Sequence, residues 1–520
     1  MRQKTYNAIL YLSLLVVSGL GTFSVWSSVN GSGLDFPFGP DPDIWGKAAL
    51  LAKFNAPQTV PPFYPELTSF LAFSDGLVQG ALRANVVGLG MGIFFSGLGA
   101  AWLTRKRYLS LGLGLSAALL VFYSLPFYPY LYFVQPDLLT FGLVSFCTAS
   151  LIGVWRFQRW RYVFLCGFAM GLTFSTREHG LVLIVASVAL LPFVLKASRW
   201  RHMLLLLLGI QLGGGLGAGA PHMPFFHPHG GWNGTLTKSF VAMRDTADQR
   251  TESNNTPSKW EVLAEKSDSR VDYFWYLAMQ SKDKSKDFHS NLLLMGVGFG
   301  VLVVVYRRRF GVMFVISIAP LFATLLFWSQ WRHFFVMAGP MVIFGLGAMG
   351  VALSRVSWKL SMLVVGGYVG YSCWILHPSQ QSYARYTLNN YLKEQQKKQS
   401  YITLAKQIRE QADSRSLVMA ESIFSVLTGL NPIQLEGQEL MNPKPPGHPN
   451  FIYWTYIVST KRMTRQWELI TQEGKFLLYQ RKRPPGVSVP CLKGTWDGPI
   501  VEKLPPGGTR LKPNPLSGCP

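Results

Sequence analysis

Long stretches without a charged residue dominate this sequence and restrict what it can fold into. Only 14% of its 520 residues are charged, whereas about 25% are charged in an average soluble domain. A helix needs about 20 apolar residues to cross a bilayer, and somewhat shorter runs cross where it thins. We count eleven runs that meet this requirement, and Lys238 in the seventh is the one charged residue that they contain: 6–34, 84–104, 108–136, 138–155, 162–176, 180–195, 203–243, 290–306, 310–331, 334–354 and 360–384. These runs predict an α-helical, polytopic membrane protein with about eleven transmembrane helices, of which the first is a retained helix rather than a signal peptide.

The Lys and Arg residues that give the net charge of +23 are concentrated in particular predicted loops. Basic residues gather in every second loop: Arg2 and Lys4, then 105–107, 156–161, 196–201, 307–309 and 355–359. Among Lys and Arg residues, the alternate short loops contain only Arg177 and Arg332. This positive-inside distribution predicts a cytoplasmic N-terminus and an outer C-terminus. Because the charge marks topology, nucleic acid is not expected as a partner.

The predicted topology divides the chain into three parts. Residues 1–375 form the transmembrane domain, with long outer loops at 35–80 and 221–289. Residues 380–483 are predicted to form a small α/β domain on the outer side of the membrane. The Pro- and Gly-rich segment 484–520 is predicted to lack stable structure.

Local patterns predict individual elements within the outer parts. In the first loop, apolar spacing after Ile44 predicts a helix on the membrane surface, which Pro61 and Pro62 end. In the C-terminal domain, the composition predicts strands within 416–422 and 451–460 and a hairpin around Glu473 and Gly474.

Ionisable residues at the predicted outer ends of the spans are the candidates for chemistry. Such groups at membrane depth usually have a partner or a function. Four segments carry them: Asp41 and Asp43 in PDPDIW, Asp137 in QPDLL, Arg177, Glu178 and His179 in STREHG, and Arg332 and His333 in SQWRHFF.

The carboxylates have two possible interpretations, one catalytic and one structural. Asp41 or Asp43 could accept a proton from an attacking hydroxyl at the membrane surface, or the D-P-D sequence could only begin a helix. Asp137 follows a proline at the start of a span, where an acid also stabilises the helix dipole.

The basic residues also have two possible interpretations, phosphate binding and a structural role. Arg177 could bind a phosphate or pair with Glu178. Arg332 and His333 are out of place under the positive-inside pattern, so we favour binding of a lipid phosphate. The alternative for Arg332 is snorkelling beside an aromatic belt.

Metal and disulfide chemistry have weaker signals. His222, His227 and His229 could bind a metal, but no acid lies near them in sequence. Cys491 and Cys519 fall on the predicted outer side, where they form one disulfide or remain two thiols.

Taken in order along the chain, these motifs resemble the GT-C superfamily of membrane glycosyltransferases. The resemblance is to the group of protein O-mannosyltransferases and lipid A aminoarabinose transferases. The segment from Asp41 through PPFYP is similar to the first outer loop of that family. QPDLLTFGLV, STREHGLVLI and WRHFFVMAGPMVIFGLGAMG are similar to its later motifs, and together they cover about residues 1–375.

The resemblance implies an inverting transferase whose donor is a polyprenyl- or dolichyl-phosphate sugar. Asp41 or Asp43 would be the general base for an acceptor hydroxyl on a protein, lipid or glycan. Arg332, His333 and Arg177 would bind the donor phosphate. Asp137, Glu178 and Tyr64 of PPFYP would support the site. Family members differ in their need for a divalent metal, so this cofactor is left open.

Two other classes of protein are compatible with parts of the pattern. A polysaccharide polymerase or ligase would use arginines on a long outer loop, and 221–289 contains Arg244, Arg250 and Arg270. A transporter of lipid-linked sugars would place charges within the spans, but the ionisable residues here gather at their ends. A bacterial inner membrane is the expected location.

Overall fold

The computed structural model describes most of the chain in separate stretches. They are 3–39, 42–53, 60–73, 76–124, 128–177, 179–195, 199–217, 310–320, 335–412, 416, 418–430, 435–437, 455–463, 467–482, 500–504 and 508–512. The chain forms two compact units. The first comprises Met1–Ser28, Ala84–Leu131 and Pro136–Tyr386, and the second comprises Val29–Arg83, Tyr132–Gln135 and Thr387–Pro520.

Helices account for most of the described secondary structure. They are α1 (Gln3–Asn30), α2 (Pro42–Lys53), α3 (Phe63–Leu71), α4 (Leu77–Trp102), α5 (Arg107–Ser124), α6 (Tyr128–Leu131), α7 (Asp137–Phe157), α8 (Trp160–Phe174), α9 (His179–Leu190), α10 (Arg199–Gly217), α11 (Phe310–Pro320), α12 (Ala338–Val356), α13 (Trp358–Lys397), α14 (Gln399–Gln411) and α15 (Ser422–Thr428). The strands are β1 (Val418–Ala420), β2 (Leu435–Gly437), β3 (Tyr456–Ser459), β4 (Trp467–Glu473), β5 (Phe476–Arg481), β6 (Ile500–Leu504) and β7 (Gly508–Lys512).

Four helices of the described stretches are long and apolar enough to cross a membrane: Thr5–Asn30, Leu77–Trp102, Asp137–Phe157 and Ala338–Val356. Shorter apolar helices are Arg107–Tyr123, Trp160–Phe174, His179–Phe193 and Phe310–Pro320. Large apolar side chains such as Leu12, Leu20 and Phe23 of α1 are more than half exposed, as expected on a face that contacts lipid. The predicted mostly helical fold is therefore confirmed. The predicted total of eleven spans is not tested, because 218–309 and 321–334 lie outside the described residues.

Glycines allow close packing of helices in the first unit. A Cβ built at Gly88 of α4 would lie 2.4 Å from the carbonyl oxygen of Leu138 in α7. One built at Gly142 of α7 would lie 2.3 Å from the carbonyl oxygen of Gly88. Small residues at such crossings let the two backbones approach, which is the usual source of packing between membrane helices.

A small sheet packs against helices in the second unit. Its strand order is β2-β1-β3-β5-β4, with β1 parallel to β2 and β3, and β5 antiparallel to β3 and β4. Tyr401, Leu404, Ala405 and Ile408 are spaced along one face of α14 and join the buried core of the sheet. The small sheet agrees with the α/β pattern predicted for this part of the chain.

The strands follow the predicted segments closely. Glu473 pairs with Phe476 across the β4–β5 hairpin, and Gly474 between them has φ of 58°, which glycine adopts without strain. The segment predicted to lack stable structure contains the antiparallel pair β6–β7. The β-branched residues Ile500 and Val501 favour a strand there, although the segment as a whole is rich in Pro and Gly.

Side-chain hydrogen bonds connect the segment before α2 to α13 within the second unit. The amide oxygen of Gln395 accepts from the backbone N–H groups of Asp35 and Phe36 at 2.8 and 3.0 Å. Its Nε2 donates to the carbonyl oxygen of Gly33 at 2.9 Å. This loop leads directly to α2, so the connection restrains the segment that precedes the acidic motif.

Candidate functional site

Asp137 is the first residue of α7 and lies in the first unit. Pro136 is its N-cap, and the Thr140 backbone N–H donates to the Pro136 carbonyl at 2.8 Å. The Asp137 side chain is 1% exposed. A carboxylate at this position faces the positive end of the helix dipole, which stabilises its charge.

Arg177 lies in the turn between α8 and α9. Its backbone N–H donates to the Thr173 carbonyl at 2.8 Å, and its own carbonyl accepts from the Gly180 N–H at 3.1 Å. A Cβ at Gly180 would lie 2.1 Å from the Phe174 nitrogen, so the chain turns this tightly only with glycine there. The contacts of Thr173, Phe174 and Gly180 therefore hold the buried Arg177 in a tight connection between α8 and α9.

Arg177 and Asp137 form a buried ion pair. Arg177 Nη1 lies 2.8 Å from Asp137 Oδ1, and the two side chains are 6% and 1% exposed. His179, at the start of α9, is fully buried. Removing two charges from water is costly, so they occur at such depth when they are paired with good geometry. The first unit thus contains a polar cluster among apolar helices.

Helix α2 of the second unit begins at Pro42, within the acidic motif. Asp43 is the second residue of this helix. Trp45 packs edge-on against the fully buried Tyr64 of α3, with ring centroids 5.7 Å apart. Gly46 lies so close to Val426 of α15 that a Cβ would be 2.6 Å from its Cγ2. Contacts with α3 and α15 therefore hold α2 in place. The predicted helix is present, and its position on a membrane surface stays a prediction.

Gln135 is a further candidate for contact with a ligand. It belongs to the QPDLL motif, but the sequence analysis selected ionisable residues and therefore passed over this amide. In the second unit the Val134 N–H donates to the Phe38 carbonyl at 2.8 Å, which aligns 133–135 with the residues before the acidic motif. Gln135 is 1% exposed, and neither amide atom has a hydrogen-bond partner among the described residues. A Cβ built at Gly39 would lie 3.2 Å from Gln135 Nε2.

Several predicted site residues lie outside the described residues. These are Asp41, Glu178, Arg332, His333, His222, His227 and His229. Asp43 is described in its backbone position only. The described chain resumes at Phe335, which stacks on Tyr130 at 4.8 Å and contacts Phe141 at 5.3 Å. The roles of these residues stay predictions, and so does a divalent metal.

Comparison with known structures shows the class of fold. The Archaeoglobus fulgidus oligosaccharyltransferase in complex with Zn and sulfate aligns with a TM-score of 0.51 and 13% identity, over 86% of this chain and 67% of that one. Its apo form aligns with a TM-score of 0.50 and 12% identity, over 86% and 69%. ArnT from Cupriavidus metallidurans bound to undecaprenyl phosphate aligns with a TM-score of 0.48 and 14% identity, over 92% and 98%.

A sequence family agrees with this class. The family described as dolichyl-phosphate-mannose-protein mannosyltransferase matches residues 92–223. No curated protein matches the chain in sequence. The matched region includes both members of the buried ion pair, Asp137 and Arg177. These comparisons confirm the predicted resemblance to GT-C membrane glycosyltransferases in fold and over part of the sequence.

Proposed function

We propose that this chain is a membrane glycosyltransferase that moves a sugar from a polyprenyl- or dolichyl-phosphate carrier to an acceptor hydroxyl. The observation that carries the proposal is the family match over 92–223, which contains the buried pair of Asp137 and Arg177. That family's description names a dolichyl-phosphate sugar as donor and a protein as acceptor. The mostly helical fold and its apolar helices are suited to a lipid-borne donor.

In the proposed reaction, Asp41 or Asp43 takes the proton of the acceptor hydroxyl. The hydroxyl oxygen then bonds to the anomeric carbon from the face opposite the phosphate. The bond between that carbon and the phosphate oxygen breaks, and its electron pair leaves with the lipid phosphate. The sugar is therefore transferred with inversion. Because a phosphate is a good leaving group, one carboxylate base is sufficient.

Positive charge must balance the phosphate as it leaves. We assign this role to Arg332 and His333, with Arg177 as a further cation. Asp137 orients Arg177, since their side chains are paired at 2.8 Å. Glu178 and Tyr64 are assigned supporting roles. The reaction is placed at the outer face of a bacterial inner membrane, with the N-terminus in the cytoplasm and residues 380–483 outside.

Gln135 is assigned a contact with a hydroxyl of the sugar or acceptor. A buried amide that lacks both partners costs free energy, and a hydroxyl can accept from Nε2 and donate to Oε1. Gln135→Met is expected to keep the unfolding temperature and to lower kcat/KM by about tenfold. Asn85→Leu is the control for loss of a buried amide that has partners. Asn85 donates to the Tyr130 and Leu131 carbonyls, so this variant is expected to be less stable than the wild type.

The test of the proposed function is a transfer assay on the purified protein. A panel of polyprenyl-phosphate sugars is offered with membrane extract as the acceptor source. Asp41→Asn or Asp43→Asn is expected to lower transfer by about 10²- to 10⁴-fold, the usual contribution of a general base. Asp35→Asn is the matched control, since Asp35 is an exposed acid of the same loop. Equal activity in all three variants would exclude both acids as the base.

The donor is identified separately from turnover. Native mass spectrometry of the wild type is expected to show a bound polyprenyl phosphate or its glycosylated form. Arg332→Ala is expected to lose that lipid while it keeps ordinary phospholipids. Retention of the carrier lipid in the variant would remove Arg332 from the proposed phosphate site.

A further inference from the structure

The tripeptide Arg-Trp-Arg occurs twice in the chain, each time at the start of a helix of the first unit. One copy is Arg159, Trp160 and Arg161, where α8 begins. The other is Arg199, Trp200 and Arg201, where α10 begins. Positive-inside topology requires basic loops but not this repeated arrangement around a tryptophan.

Close contacts along α8 and α10 show that the two helices run in the same direction. A Cβ at Gly167 would lie 2.2 Å from the Leu206 carbonyl oxygen, and one at Gly171 would lie 2.3 Å from that of Ile210. The contact thus advances by four residues on both helices together. Because the helices are parallel and in register, both N-termini lie at the same end of the pair.

A cavity of about 570 Å³ lies at that end. Its lining includes Arg159, Arg161, Arg201 and His202, together with Trp160. The described residues that line it include no carboxylate. The volume falls in the range of small-molecule sites, which is roughly 300–1,000 Å³.

The electrostatics of the cavity favour an anion. The N-terminus of each helix presents N–H groups and a partial positive charge of roughly half a unit. Aromatic rings orient two of the guanidinium groups. Arg161 lies 5.0 Å from the Tyr162 ring and donates to its hydroxyl at 3.3 Å, and Arg201 lies 5.5 Å from the Trp200 ring.

The two tryptophans indicate where the anion comes from. Trp160 is 62% exposed and Trp200 is 65% exposed. Exposed tryptophan at the end of an apolar helix is typical of the level of lipid headgroups. Basic pockets between membrane helices on the cytoplasmic side bind phosphate-containing headgroups.

We propose that this cavity binds a phosphate group, supplied by an anionic phospholipid of the inner leaflet. The guanidinium groups of Arg159, Arg161 and Arg201 form charge-assisted hydrogen bonds with the phosphate oxygens. Trp160 and Trp200 lie beside the glycerol and upper acyl chains. This site is separate from the transfer reaction and does not depend on the proposed function.

The test compares two double variants that remove equal charge. Arg159→Gln with Arg201→Gln removes cations of the cavity, whereas Arg355→Gln with Lys359→Gln removes exposed cations elsewhere on the predicted cytoplasmic side. Each protein is placed in nanodiscs of phosphatidylglycerol and phosphatidylcholine, released, and measured by native mass spectrometry. The wild type and the control are expected to retain phosphatidylglycerol. The cavity variant is expected to retain at least about tenfold less.

A second measurement separates a lipid phosphate from a free one. Inorganic phosphate is added to the wild type in phosphatidylcholine nanodiscs, and binding is followed by calorimetry. No binding of inorganic phosphate, with retained phosphatidylglycerol, supports the lipid source. Binding that the cavity variant loses and the control keeps supports a phosphate site whose source is soluble. Equal lipid retention in all three proteins, without phosphate binding, would overturn the proposal.

Discussion

Arg177 has two roles to reconcile, because it is paired with Asp137 and is also assigned to the donor phosphate. The pair is buried, with the two charged atoms 2.8 Å apart. Arg177→Met leaves the Asp137 carboxylate buried without its cation, and we expect the free energy of unfolding to fall by about 3–5 kcal/mol. Arg177→Met with Asp137→Leu is expected to recover most of that loss, because apolar side chains replace the whole pair. Unfolding of the detergent-solubilised protein is the measurement.

The double variant also separates stability from phosphate binding. If Arg177 contacts the donor phosphate, the variant is stable but transfers sugar slowly. If its stability and transfer rate both match the wild type, Arg177 has only a structural role. A double variant as unstable as Arg177→Met would show that the two charges do not act as a pair.

Tyr401 supplies a prediction about alkaline pH. Burial, together with Glu421, raises the pKa of its hydroxyl to about 12 from the ordinary value of 10.0. Its ring packs against Phe424 and Phe476 in the core of the sheet. The folded protein therefore holds this proton more tightly than the unfolded chain does. The resulting stability is present below about pH 10 and is lost as the pH rises towards 12.

Tyr401→Phe removes this contribution to the pH dependence. Unfolding of the variant, followed between pH 9 and 12, is expected to show a shallower loss of stability than the wild type. The difference between the two curves isolates one hydroxyl among the 21 tyrosines. Parallel curves would contradict the raised pKa.

Among the elements, α8 and α10 depend most directly on backbone approach. Gly167 lies against the Leu206 carbonyl, where a Cβ would be only 2.2 Å away. Gly167→Ala is expected to push the helices apart and to lower the free energy of unfolding by about 1–3 kcal/mol. We also expect this variant to retain less phosphatidylglycerol in the nanodisc experiment, because separating the helices would deform the cavity at their N-termini.

Gly215 of α10 provides the matched control for this substitution. A Cβ built there has no neighbour within 4 Å. Gly215→Ala is expected to leave stability unchanged or to raise it slightly, because alanine favours a helix more than glycine does. If both alanine variants behaved alike, the close approach at Gly167 would not contribute to packing.

For the whole molecule, the alternation of basic loops predicts the membrane topology. We expect alkaline phosphatase fused after Pro520 to be active, because it needs an oxidising compartment for its disulfides. A fluorescent protein fused at the N-terminus is expected to fluoresce in the cytoplasm. An inactive phosphatase fusion on a stably inserted protein would contradict the orientation and remove residues 380–483 from the outer side.

The sequence by itself determined the features that depend on neighbouring residues. The length of an apolar run predicts a membrane helix, because a helix satisfies its backbone hydrogen bonds within its own segment. The β4–β5 hairpin was predicted from Glu473 and Gly474, since a tight turn is a local choice of backbone angles. Helix α2 was predicted from apolar spacing for the same reason. These patterns also carried the resemblance to a glycosyltransferase family, which the comparisons confirmed.

Only the tertiary structure decided which distant polar groups meet. The sequence offered Glu178, which lies outside the described residues, as a partner for Arg177. The fold pairs Arg177 with Asp137, the first residue of α7 and 40 positions away in sequence. It likewise brings Gln135 against Gly39 and sets two Arg-Trp-Arg segments at one end of parallel helices. Such contacts depend on the register in which helices pack, and glycine positions set that register through backbone approach. Composition and periodicity describe each helix alone, so they contain no information on that register.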